Sequence, residues 1–341
     1  MKILIIRLSS LGDVILSTFV VRVVQNAFPN STVDFLVANE FADVFKFNPR
    51  ITNLIVYDKS KSFLLHIYDT LSIRNARNYD VIIDLQNNLR SWVYSLGKSA
   101  SIFRFDKRRL YKLLTVIFKK RASTICPIPI LYVNTLPDLK KYDDGLGLEL
   151  WTTKDTSGYS PHNKNVHLNH FQRLAIAPGA KHFSKILPLE KFIALVDLLQ
   201  TNFSAEIFLI GGNEDQHICQ SIARRFKNVS NFAGKLSVVE TAELLDTVDL
   251  VISNDSSAVH IAAARKIPVI QIFGSTIPEF GFIPFRTPYK IVENNPVNCR
   301  PCTHYGKSYC PKKHFRCMNE ITPMHIFDAI LELKRDIQQI S

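Results

Sequence analysis

No apolar run in this 341-residue chain approaches the roughly 18–20 residues needed to cross a bilayer. The opening MKILIIRLSS has one short apolar run broken by Arg7, which is not a signal-peptide pattern. A cytoplasmic location is expected. Six cysteines are too few for a disulfide scaffold. No GxGxxG follows the first apolar run, and there is no GxxxxGK[ST]. HExxH is missing too, as is a GxSxG elbow after a strand. These gaps remove the commonest dehydrogenase, NTPase, zinc-protease and hydrolase chemistries. The patterns of a zinc finger, a KH loop or RNP aromatics are also missing, which argues against a nucleic-acid module.

What is present is a globular composition, 46% hydrophobic and 21% charged, long enough for two domains. Short apolar runs alternate with helical patterns. The runs are Ile3–Leu8, Val33–Ala38, Leu54–Tyr57, Val81–Leu85 and Ile102–Phe105, then Leu174–Ala177, Glu206–Ile210, Leu250–Ser253, Val269–Phe273 and Tyr289–Val292. Alternation of this kind predicts parallel sheets with helices on both faces, an α/β fold of doubly wound domains. The polar stretch Thr152–Asn169 reads as the linker, giving domains over 1–160 and 170–320. Thr322-Pro323 opens a terminal amphipathic helix over 321–341, expected to pack back on the first domain.

Lys and Arg number 42 against 30 Asp and Glu, a net charge of +12. Eight of the cations and one acid lie between Arg104 and Arg121: Arg104, Lys107, Arg108, Arg109, Lys112, Lys119, Lys120 and Arg121, against Asp106. Leu110, Leu113, Leu114 and Ile117 recur there at helical spacing, so the segment predicts a basic amphipathic helix. A solvated helix face is its plain reading. The sharper one is a surface for an anionic partner.

Four polar loops follow four predicted strands. Arg7-Leu8-Ser9-Ser10-Leu11-Gly12-Asp13 opens the first helix, where Gly12 permits close approach and Asp13 is placed to accept a proton from a hydroxyl or simply to stabilise the helix start. Asp84-Leu85-Gln86-Asn87-Asn88 ends another strand of the same half. In the second half, Pro178-Gly179-Ala180 leads to Lys185, a cation suited to a diphosphate. Ser253-Asn254-Asp255-Ser256-Ser257 precedes a helix carrying His260; it is an anion-binding turn or an N-cap. An acid in one half and anion-binding turns in the other suit transfer from a phosphate-activated donor to a hydroxyl.

At these residues the chain resembles glycosyltransferase family 9, the ADP-heptose:lipopolysaccharide heptosyltransferases. KILIIRLSSLGDVILSTFVVRVVQNAFPN, YDVIIDLQNNLRS, LAIAPGAKHFSKILP, FLIGGNED, FAGKLSVVETAELLDTVDLVISNDSSAVHIAAA and IPVIQIFGST occur in family order. The resemblance implies a GT-B fold, two Rossmann-like domains facing across a cleft, the first for the acceptor and the second for the nucleotide sugar. It also implies an inverting enzyme that needs no cofactor or metal for catalysis. Asp13 is then the general base. Gly179, Lys185, Asp255, Ser256, Ser257 and His260 belong to donor binding. Ser9, Ser10, Gly12, Gln86, Arg104, Arg108, Lys112, Lys119, Lys120 and Arg121 belong to acceptor binding. Implied partners are ADP-heptose or a related nucleotide sugar, an anionic lipopolysaccharide acceptor and the cytoplasmic face of the inner membrane, where the protein is peripheral. Ser257 stands where the family usually has glycine, and Leu187 where an aromatic residue often precedes the proline. Another nucleotide sugar, another acceptor glycan, or nucleotide and glycolipid binding without catalysis are the alternatives.

Cys299, Cys302, Cys310 and Cys317 form a last cluster, with His304 and His314 interleaved. Four thiolates make candidate ligands of a structural zinc. The resemblance offers another role, since similar Cys-rich segments occur in the heptosyltransferase II type and the basic residues here (Arg300, Lys307, Lys312, Lys313, Arg316) would serve the acceptor.

Overall fold

The computed structural model describes residues 1–60, 78–95, 100–155, 158–159 and 171–340. Most of the expected linker lies outside them. The chain divides into two compact units, one of Met1–Arg109 with Ile128–Thr156, the other of Leu110–Pro127 with Ser157–Ser341.

The first unit is built on strands β1 (Lys2–Ile6), β2 (Thr32–Ala38), β3 (Asn53–Tyr57), β4 (Val81–Asp84) and β5 (Ser101–Arg104), in the order β3-β2-β1-β4-β5. Every pairing is parallel. Helix α1 (Leu11–Ala27) buries Val14–Val24 without a break, so it is apolar around its circumference. Its buried Arg22 meets the fully buried Glu149, which also accepts from Arg50 Nε at 3.1 Å and from the Trp151 indole N–H at 3.1 Å. A buried carboxylate requires such partners. They pin the Ile128–Thr156 segment to this unit. Helix α2 (Leu89–Ser95) follows β4. Helix α3 (Arg109–Phe118) leaves the unit, and α4 (Ile128–Val133) returns to pack on α1.

The second unit carries β6 (Arg173–Ala177), β7 (Glu206–Leu209), β8 (Val229–Asn231), β9 (Leu250–Asn254), β10 (Val269–Phe273) and β11 (Tyr289–Glu293), ordered β11-β10-β9-β6-β7-β8 and again wholly parallel. Its helices are α5 (Leu189–Phe203), α6 (Gln216–Ala223), α7 (Val238–Leu245), α8 (Ser257–Ala264), α9 (Arg316–Asn319) and α10 (Pro323–Ile340). Two sequence expectations change here. The terminal helix α10, expected on the first domain, sinks Ile326, Phe327, Ile330 and Leu333 into the second unit's core and packs on α5 and β11. Residues Leu110–Pro127, expected in the first domain, cluster with the second unit. Among the described residues, no helix is long and apolar enough to cross a membrane.

Both sheets reverse their winding once, between β1 and β4 and between β6 and β9. At such a point two neighbouring loops diverge above the carboxyl ends of the strands and leave a crevice. Ile6 lies opposite Asp84, and Ala177 opposite Ser253. The four polar loops therefore emerge as two adjacent pairs.

Candidate active site

In the first unit, the loop after β4 braces the loop after β1. The Gln86 side-chain oxygen accepts from the Leu8 and Ser9 N–H groups at 3.0 and 3.1 Å. Ser10 is the N-cap of α1, and Asp13 reaches back from the third helical position. Asp13 Oδ2 accepts from the Ser10 N–H at 3.3 Å and from its hydroxyl at 3.0 Å. The other oxygen, Oδ1, pairs with Arg7 Nη2 at 2.8 Å and accepts from the Tyr132 hydroxyl at 2.9 Å. Arg7 is buried, donates to the Leu85 carbonyl at 2.6 Å, and lies over the Tyr132 ring at 5.4 Å. Tyr132 is itself buried edge-on against Phe105. Burial opposes the Asp13 charge, but Arg7, Tyr132 and Ser10 outweigh it and hold the carboxyl below its ordinary pKa. Asp13 is thus a charged, oriented carboxylate that also caps its helix. Burial raises Asp84 instead, although Ser91 and the Gln86 and Asn87 N–H groups partly offset it.

In the second unit, Lys185 Nζ pairs with Asp255 Oδ2 at 2.7 Å. The same oxygen accepts from the Thr276 hydroxyl at 2.7 Å. Asn254, fully buried, donates to the Pro178 carbonyl at 2.7 Å and accepts from the Leu187 N–H at 3.3 Å, fastening the β6 and β9 loops together. Gly179 runs so close to Asp215 that a Cβ there would sit 1.8 Å from the carboxylate oxygen, which excludes any other residue without rearrangement. Ser256 caps α8, accepting from the Ala258 N–H at 3.4 Å; Ser257 opens the helix and His260 is buried on it, 6.4 Å from the Phe282 ring. The helix start, its uncommitted N–H groups and the Lys185 ammonium make an anion-binding corner. Leu187 is fully buried in the apolar core.

The acceptor candidates separate. Ser9, Ser10, Gly12, Gln86 and Arg104 stay in the first unit, Arg104 donating to Ser95 Oγ at 2.9 Å and lying 5.8 Å from the Trp92 ring. Arg108 also stays there, its N–H donating to Asp106 at 2.8 Å. Lys112, Lys119, Lys120 and Arg121 go with the second. Lys119 donates to the Pro301 carbonyl at 2.7 Å, and Arg121 pairs with Glu279 at 2.7 Å and Glu293 at 2.8 Å.

The cysteine cluster needs correcting. Among the described residues no three His, Cys, Asp or Glu side chains gather in a group able to hold a metal ion. Cys317 is buried in the apolar core at α9, Cys310 Sγ accepts from the Phe315 N–H, and Cys302 donates to the Cys299 carbonyl. Burial pushes the Cys317 thiol up to about 12. The expected structural zinc is unsupported.

Tyr132 and Thr276 are candidate site residues that reading the sequence did not single out, while Arg7 and Asn254 fell inside the quoted loops without a role of their own. Arg7 had a signal, a cation ending an apolar run. Tyr132 had none, lying 119 residues from Asp13.

Two parallel α/β units, each with its loops gathered at a winding reversal, make up a GT-B fold. A glycosyltransferase family 9 protein from Veillonella parvula has the same fold, with TM-score 0.76 at 20% identity, covering 98% of this chain and 97% of that one. The Escherichia coli heptosyltransferase WaaC with ADP superposes with TM-score 0.67 at 20% identity, covering 98% of this chain and all of the other. The lipopolysaccharide heptosyltransferase 1 of Campylobacter coli is 28% identical across 98% of this chain and its own full length. Residues 72–313 match glycosyltransferase family 9 (heptosyltransferase), and the chain belongs to that family.

Proposed function

We propose that the enzyme transfers a heptose from ADP-heptose to a hydroxyl of the lipopolysaccharide inner core, with inversion, at the cytoplasmic face of the inner membrane. The arrangement of the two loop pairs carries this reading: an oriented carboxylate in one unit, a cation at a helix start in the other. The names of the relatives support the sugar and acceptor, and a solved Escherichia coli relative holds ADP-2-deoxy-2-fluoro heptose.

In the reaction the acceptor oxygen attacks the anomeric carbon while the bond from that carbon to the diphosphate breaks. ADP leaves with the electron pair. The acceptor proton goes to Asp13, and Oδ2 is the suited oxygen, because the Ser10 hydroxyl can rotate away whereas Arg7 and Tyr132 are fixed on Oδ1. Lys185 exchanges part of its contact with Asp255 for the diphosphate and stabilises the charge that develops there. The α8 N-terminus adds N–H donors. This ammonium and these dipoles fill the place a divalent cation takes in other nucleotide-sugar enzymes, so no catalytic metal is required.

The test is Asp13→Asn, which keeps the size and the cap of α1. With heptose-deficient lipopolysaccharide as acceptor and released ADP as readout, kcat should fall by about 10²–10⁴, while circular dichroism and ADP binding persist. Undiminished turnover would refute the base, and a preference for another nucleotide sugar in the same assay would refute the donor.

A further inference from the structure

Helix α3 is turned inside out. Leu110, Leu113, Leu114, Ile117 and Phe118 fall at i, i+3, i+4, i+7 and i+8, the spacing of a buried stripe. Yet Leu110 is 68%, Leu113 54%, Ile117 57% and Phe118 71% exposed, and the one fully buried residue of the helix is the polar Thr115 on the other side. Nor does the helix hang loosely. Its end is fastened by Lys119 to the Pro301 carbonyl and by Arg121 to Glu279 and Glu293, and Glu293 pairs in turn with the buried Arg300. A rigidly held helix that turns its apolar stripe outward has a partner for that stripe.

We propose that α3 is an interfacial helix that inserts this stripe into the surface of an anionic phospholipid bilayer. Charge decides in favour of lipid. Arg109 and Lys120 are exposed at the two ends of the stripe, Lys107 is half-buried beside its start, and no acidic residue occurs from Lys107 to Arg121. Cations bordering a narrow apolar stripe match lipid headgroups above acyl chains. A second copy of this chain, meeting the same face by two-fold symmetry, would set cation against cation. The inference rests on the lipid-linked acceptor of the proposed function, and vesicle binding and transfer are measured separately so that either can fail alone.

The experiment is flotation of the full chain with phosphatidylglycerol-containing vesicles and with pure phosphatidylcholine vesicles, comparing the wild type with a Leu113→Gln/Ile117→Gln variant. Both side chains are exposed, so the variant should fold and melt as the wild type does. The wild type should float with the anionic vesicles and much less with the zwitterionic ones. The variant should partition at least about tenfold less, with turnover of a deacylated, water-soluble acceptor unchanged. Loss of flotation in the variant supports the proposal even if no heptose transfer is found. The proposal is overturned if the wild type does not float, if the variant floats equally, or if sedimentation shows a wild-type dimer that the variant dissolves.

Discussion

Asp13 makes four polar contacts with three residues, and their chemistry sets how the proposed base would work. A carboxylate that accepts charged and neutral donors is held in its ionised form, and a hydrogen bond to a charged group is worth about 1.5–3 kcal/mol. Because its folded pKa is depressed, the stability it contributes is present above the ordinary carboxylate range and is lost as pH falls through the depressed value. Tyr132 acts through Asp13 as a positioning residue. Tyr132→Phe removes one donor and keeps the ring against Phe105, so the acidic limb of the kcat/KM profile should move to higher pH, with a several-fold fall in kcat and little change in donor KM. A profile that stays in place would mean that Tyr132 only packs. Asp13, Lys185 and Asp255 stood out as candidates because each lies where the chain passes from a strand to the next helix. Tyr132 was not, since its hydroxyl has meaning only once α4 has folded back over α1.

Elements repeat the same division. The ten apolar runs read from the sequence coincide with ten of the strands to within a residue or two, and the central ones are apolar throughout because both their faces are buried. The edge strand β8, three residues of mixed polarity, carried no such signal. Amphipathic helices were legible as helices, yet which way they faced was not. The stripe of α10 sinks into the second unit's core, while the equally clear stripe of α3 lies outside. Ile330 is fully buried at the centre of the α10 stripe, so Ile330→Ala should destabilise the protein by about 2–5 kcal/mol, read as a lowered midpoint in urea. A change below about 0.5 kcal/mol, the scale of ordinary surface substitutions, would mean that α10 is dispensable to the core.

For the whole molecule, more than half of the +12 charge gathers between Arg104 and Arg121, on and around α3, with cations of that segment in both units. The proposed division of labour places all the positive charge needed at the diphosphate on Lys185 and the α8 N-terminus. Treatment with EDTA should therefore leave both the transfer rate and the melting temperature unchanged; a loss of either, restored by a divalent ion, would refute it. By itself the sequence determined the α/β class, the near-complete set of strands, the family and the loops that carry Asp13, Lys185 and Asp255. These follow from periodicity and from residues adjacent in the chain. Only the tertiary structure decided which loops meet, that Tyr132 and Arg7 hold Asp13, that the terminal helix belongs to the second unit, that the four cysteines make no metal-holding group among the described residues, and that α3 turns its apolar side outward. The physical reason is that a side chain's partner is set by strand order and helix orientation. Those depend on contacts between residues far apart in the chain, such as Ile3 with Val81 and Asp13 with Tyr132, which no local pattern records.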